Sequence, residues 1–118
     1  MNVSETQLDI VSKLMETAAT RHRVIGENIA NANTPEYRSR TVAFEDELSS
    51  ILQREEIIPE DLESVIGYSK GLSTRLDGNN VDVAHEMGQL EKNSLIYSAY
   101  SNILALRVNM LKSAITGQ

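Results

Sequence analysis

Leu8, Val11, Met15, Ala18, His22, Ile25, Ile29 and Ala32 follow one another at alternating steps of three and four. On a helix of 3.6 residues per turn that spacing keeps one stripe facing one partner, the pattern of a coiled-coil helix. Ser4 followed by Gln7 reads as a capping box at its start. Pro35 closes it, because proline has no N–H to donate and disfavours helical geometry at Thr34. The spacing therefore predicts a first helix that ends near Ala32 and is about 40 Å long. A helix of that length must lie along something equally long.

The other end of the chain supplies it. From Asp82, placed to cap a helix N-terminus with negative charge, one stripe runs Val83, Met87, Leu90, Ser94, Tyr97, Ser101, Leu104, Val108, Leu111 and Ile115. A second runs Ile96, Tyr100, Ile103, Arg107, Met110 and Ala114, and Leu95, Ala99 and Leu106 fall on yet another side. Gly117 is a natural stop. The expected fold is mainly α, with long terminal helices packed as an antiparallel coiled-coil-like hairpin around an extended, partly irregular middle. As one domain over 1–118, it divides into a first helix (1–32), a middle segment (33–80) and a last helix (81–118).

The middle segment is acidic, with Glu45, Asp46, Glu47, Glu55, Glu56, Glu60, Asp61 and Glu63. Short helical patterns fit Phe44 to Gln53 and the residues after Pro59, and turn formers at Gly71, Asp77-Gly78 and Asn79-Asn80 suggest a hairpin around Leu72 to Leu76. Its few apolar residues offset little ordering entropy, so it reads as extended or partly disordered when isolated.

A last helix that is apolar on several faces needs several neighbours, and the chain offers one other long helix. With one Phe, four Tyr and no Trp, large aromatic rings cannot fill a thick core. The surplus apolar flank exceeds what a lone hairpin hides, which points to assembly by repeated contacts between copies. A three- or four-helix bundle closed by the middle segment is the bland alternative. A soluble helical-hairpin adaptor or secreted chaperone-type binder is the rival from another class.

Enzymatic chemistry has little to work with. The two histidines, His22 and His85, lie on different helices, and there is no cysteine. Asp77 to Asp82 fails as a calcium loop because Asp82 stands where glycine is needed and Gly88 where the bidentate Glu belongs. The acidic run reads as solvated surface. No catalytic, cofactor or metal site is expected. A net charge of −6 disfavours nucleic acid, and no apolar run reaches the roughly 20 residues that cross a bilayer. The polar start at Met1 to Ile10 lacks the features of a cleaved secretory signal.

The stretch Asn28-Ile29-Ala30-Asn31-Ala32-Asn33-Thr34-Pro35-Glu36-Tyr37-Arg38, preceded by Arg21-His22-Arg23 and Glu27, closely resembles the N-terminal signature of the flagellar rod and hook family. Glu36 stands where that family normally has glycine, and a left-handed turn there costs Glu a steric penalty that glycine escapes. Asn80-Val81-Asp82-Val83, Glu86-Met87, Asn93, Leu95, Tyr97, Ala99, Leu111, Ala114, Ile115 and Gly117 resemble the C-terminal helix of its proximal-rod branch. The two matches together cover about two thirds of the chain.

The resemblance implies a structural subunit, not an enzyme, of the flagellar basal-body proximal rod, in the periplasm. Such a subunit is exported by the flagellar type III apparatus without a cleaved signal. It polymerises through its terminal helices into a helical tube that transmits torque and encloses the export channel. Implied partners are other copies and other rod subunits, the membrane ring with its small adaptor subunit, and the export apparatus, with no nucleic acid and no direct membrane insertion. The interface residues expected on this footing are Asn28, Ile29, Asn31, Asn33, Pro35, Tyr37, Arg38, Met87, Leu90, Tyr97, Tyr100, Leu104, Leu111 and Ile115. Tyr37 and Arg38 would anchor the extended segment, whereas local capping and turn contacts are the bland account of the asparagines and of this pair. Phe44 with Leu48 is similar to the gate-recognition segment of early export substrates, against an ordinary i, i+4 contact.

Overall fold

Two long helices carry the architecture. A computed structural model describes residues 3–45, 49, 53 and 63–117, with side chains in the first helix from Gln7 onward. The element order is α1 (Val3–Ala30), β1 (Arg40–Ala43), β2 (Val65–Tyr68) and α2 (Val83–Thr116). α1 begins one residue ahead of Ser4, so Ser4 lies inside the helix, and its side chain is outside the described residues. The helical patterns expected from Phe44 to Gln53 and after Pro59, and Leu48 itself, also fall largely outside them. α2 is capped as its sequence predicts: Asp82 is extended, and its carboxylate accepts from the His85 N–H at 3.1 Å. Gly117 takes a left-handed φ of 74°, returning its N–H to the Ser113 carbonyl at 2.8 Å.

The helices pack antiparallel. Asn93 Nδ2 donates across the seam to the Ala18 carbonyl at 2.7 Å, while residues near Glu86 face Arg21, Val24 and Ile25. The chain measures 63 × 30 × 15 Å, and 34 residues of α2 at 1.5 Å each account for most of the long axis. So thin a slab encloses few side chains. Among the described residues the buried apolar ones are Ala18, Val24, Ile25, Ala32, Val42, Phe44 and Val81, and all but Ala18 cluster where the end of α1, β1 and the start of α2 converge.

β1 and β2 form an antiparallel ladder, with Arg40 opposite Tyr68 and Ala43 opposite Val65. This corrects the hairpin expected at Leu72 to Leu76, where no strand forms. Turn residues drew that expectation downstream, but the ladder is selected by packing: β1 places Val42 in the core beside α1, and β2 then covers its other edge. The described parts of the middle segment, 33–45 and 63–80, are extended and irregular apart from this short ladder, and side-chain hydrogen bonds tie them to the helices.

Candidate functional site

The signature around Asn28 builds a polar clasp at the closed end of the hairpin. Asn28 is fully buried. Its Nδ2 donates to the Arg40 carbonyl at 2.7 Å, and its Oδ1 accepts the Arg40 N–H at 3.0 Å and the Tyr37 hydroxyl at 3.2 Å. The side-chain amide therefore stands in for a neighbouring strand along β1, satisfying both backbone groups of one residue. The Arg40 guanidinium lies against the Glu27 carboxylate. The Tyr37 hydroxyl first, and Glu27 with it, raise its pKa above the ordinary arginine value, so it stays charged at any working pH.

A second buried asparagine mirrors the first. Asn79 Nδ2 donates to the Asn31 and Thr34 carbonyls, both at 2.8 Å, and its Oδ1 accepts from the Val81 N–H at 2.8 Å. Carbonyls of the turn that follows α1, each already accepting one backbone N–H, thereby gain a second donor from the lead-in to α2, 48 residues away in the case of Asn31. Arg75 reinforces the join, donating to the Ala32 and Val81 carbonyls. Asn80 Oδ1 accepts the Ser39 N–H at 2.6 Å, and Ser39 Oγ donates to the buried Glu86 carboxylate at 3.0 Å, with Ser69 Oγ also 3.0 Å away. Every segment of the closed end is tied to another by a side chain that accepts or donates inside.

Glu36 adopts the left-handed conformation after all, at φ 64°. Its N–H donates to the Asp77 carbonyl at 2.9 Å, and it packs on Gly78, itself at φ 84°. The turn that suits glycine is kept because the clasp holds both sides of it.

The residues singled out in the sequence divide between two places. Asn28, Asn31, Tyr37 and Arg38 are engaged inside the chain. Asn31 Nδ2 bonds the Glu27 carbonyl at 2.8 Å, and its Oδ1 accepts from the Thr34 hydroxyl at 3.0 Å. Arg38, though exposed, lies over the Tyr68 ring 3.9 Å from its centroid. Ile29 is half-buried, whereas Asn33 and Pro35 are exposed. On α2, Leu90, Tyr100 and Leu104 are half-buried along the seam, and Met87, Tyr97, Leu111 and Ile115 are exposed.

Sequence reasoning missed Glu86 and Asn93 as seam residues, along with Ser39, Asn79 and Arg75. The fully buried line of α2 is Glu86 and Asn93, not the Met87 and Ser94 line beside it. A helix apolar all round gives no phase, so polar partners decide which face turns inward. The only available hint was the seven-residue spacing Glu86–Asn93–Tyr100.

Outward, α2 presents Leu95, Leu106 and Met110, each close to two-thirds exposed, with Ile103, Val108 and Ile115 around them. Every residue from Ala105 to Gly117 is exposed. Among the described residues no group of three or more His, Asp or Glu is placed to hold a metal ion, and no helix is long and apolar enough to cross a membrane.

A helical hairpin clasped by buried asparagines at one end, with uncovered apolar faces on its longer helix, has the makings of an assembly subunit. No family model matches the chain. Curated relatives do. It is 31% identical to the flagellar basal body rod protein FlgB of Borrelia hermsii, over 89% of this chain and 92% of that one. Identity is also 31% to FlgB of Bacillus subtilis (strain 168), over 99% and 98%. FlgB of Escherichia coli (strain K12) is 29% identical, over 92% and 95%. The chain belongs to the FlgB family of flagellar basal body rod proteins.

Proposed function

We propose that this chain is a structural subunit of the proximal rod, polymerising through α1 and α2 into the tube that transmits torque and encloses the export channel. The observation that carries the reading is the uncovered apolar flank of α2, which one α1 is too narrow to hide. Leu95, Leu106 and Met110 in water are each a loss that burial by a neighbour would recover. Its partners on this reading are other copies, other rod subunits, the membrane ring with its small adaptor, and the export apparatus that delivers it to the periplasm without a cleaved signal. The clasp shapes the subunit, and Asn33, exposed at the turn, is free to meet a neighbour.

Leu106→Glu tests the reading directly. The side chain is exposed, so the free chain's stability should change by no more than about 0.5 kcal/mol. Incorporation into purified basal bodies, read by immunoblot, should nevertheless fall to background, with motility lost. Normal incorporation would remove the interface role of this face.

Phe44 is almost wholly buried in the folded chain, so an export gate would read it before folding. On that reading Phe44→Ala lowers secretion of the chain into the medium of a rod-deficient strain, while a core substitution elsewhere, such as Val24→Ala, does not. Equal secretion of the two variants would leave Phe44 as a packing residue.

A further inference from the structure

The two edges of the small sheet are finished differently. Arg40 turns its N–H and C=O away from β2 to the Asn28 amide, and the Val42 carbonyl turns the same way to Arg21 at 3.2 Å. In an antiparallel ladder the residues opposite such positions turn their own backbone groups outward as well. Tyr68 stands opposite Arg40, and Ile66 opposite Val42. The bond from the Ser69 N–H to the Ser39 carbonyl, at 2.9 Å, keeps the same alternation. The N–H and C=O groups of Ile66 and Tyr68 therefore point off the outer edge of β2. Among the described residues no backbone group bonds them.

Side chains seal the far edge of β1, and among the described residues none seals this one. β2 reads Val-Ile-Gly-Tyr and is exposed throughout, with no charge or proline within it to discourage a further strand. Val65 and Tyr68 are each more than half exposed, and Ile66 is 41% exposed. Gly67 is a second, separate sign. It has no left-handed φ, and a Cβ built on it would meet nothing within 4 Å. Nothing inside the chain calls for a residue that weakens the strand, whereas the close passage of another backbone does.

We propose that β2 pairs antiparallel with β2 of a second copy, about a twofold axis at Gly67. Ile66 of each copy then exchanges both backbone hydrogen bonds with Tyr68 of the other, and a β-branched residue beside an aromatic is a favourable cross-strand pair. The two Gly67 residues meet in the non-hydrogen-bonded position, where Cα atoms come within about 4.5 Å. Charge selects this direction. Glu63 precedes the strand, while Lys70 follows it and Arg38 lies over the Tyr68 ring. Antiparallel pairing sets the acidic end of each strand beside the basic end of its partner, and parallel pairing would set like beside like. Lys13 and Glu16, the α1 charges near Glu63, bridge each other at 3.6 Å and leave that balance unchanged.

The contact is isologous and closes at two copies, so it cannot recur along a tube whose subunits all point one way. It goes beyond the assembly reading above. The apolar flank of α2 stays free, and the pairing belongs to the free chain and opens before that chain enters a rod.

The chain has no cysteine, so Gly67→Cys reports on the axis. Its Cβ has open space, and the Cα separation at the axis falls within the range a disulfide spans. Full-length Gly67→Cys, oxidised in dilute solution, should form a disulfide dimer well above the yield of Ser73→Cys, an exposed position off the strand. In sedimentation equilibrium Glu63→Lys and Lys70→Glu should each weaken the dimer about tenfold, because each turns two attractions into repulsions. The double exchange should restore it. A cross-link no more abundant than the Ser73→Cys control would overturn the twofold pairing, and so would a double exchange no tighter than the single ones. An unsubstituted chain that sediments as a monomer at every concentration would overturn it too. So would a dimer that Leu106→Glu dissolves and the charge exchanges do not, since it would be held through α2.

Discussion

Replacing Asn28 with Leu should cost the free chain about 3–4 kcal/mol, because it strands the N–H and C=O of Arg40 inside the fold. Asn28 is fully buried and serves both groups at 3.0 and 2.7 Å. Leucine keeps the volume and supplies neither a donor nor an acceptor. The Tyr37 hydroxyl, bonded to the same amide oxygen at 3.2 Å, is half-buried and can turn toward water, so it adds less. Against a total stability on the order of 5–15 kcal/mol, the loss is large enough to read as a markedly lower urea midpoint by circular dichroism. Two milder variants separate the contributions. Asn28→Asp retains acceptors but cannot donate to the Arg40 carbonyl, and should fall between wild type and Leu. Tyr37→Phe should cost about 1 kcal/mol. A midpoint for Asn28→Leu within error of wild type would mean the strand-like pairing contributes nothing.

The second large effect concerns two left-handed residues in contact. An added Cβ at Gly78 would lie 3.1 Å from Glu36 Cγ and 3.2 Å from Glu36 Cα, at φ 84°. The backbone conformation alone costs an alanine about 1–2 kcal/mol. The clash adds to this, while the reduced freedom of the unfolded chain returns about 0.4–1 kcal/mol. Gly78→Ala should therefore destabilise by about 2 kcal/mol. Glu36, at φ 64°, bears the converse strain, so Glu36→Gly should stabilise by about 0.5 kcal/mol once glycine's extra unfolded-state entropy is counted. The double variant should lose less than the two single effects predict, because removing Glu36 Cβ and Cγ clears part of the space. Strict additivity in that cycle would show that the two turns do not press on each other.

The open and closed ends of the hairpin divide the work of the molecule. At the closed end, hydrogen bonds from Asn28, Asn79, Asn80, Arg75 and Ser39 fix the angle at which the chain leaves α1 and enters α2. At the open end, the described side chains are half-buried at best. The arrangement suits a part whose shape is set at one end and whose covering comes from neighbours at the other. It also explains why so few of the described residues are wholly buried: a slab 15 Å thick has almost no interior.

Local chemistry made the long elements legible. The three-and-four spacing of α1, the Asp82 cap, the Gly117 stop and the break before Pro35 are each decided within a few residues, and each lies where its sequence puts it, to within the usual fraying of helix ends. Apolar surplus on α2 was equally readable, since it depends only on composition around one helix. Tertiary structure alone decided the phase of α2, the pairing of β1 with β2 and the partners of every buried asparagine. Those choices join residues as far apart as Asn31 and Asn79, or Ala18 and Asn93, and no local preference can register a hydrogen bond whose other half is supplied by a distant segment.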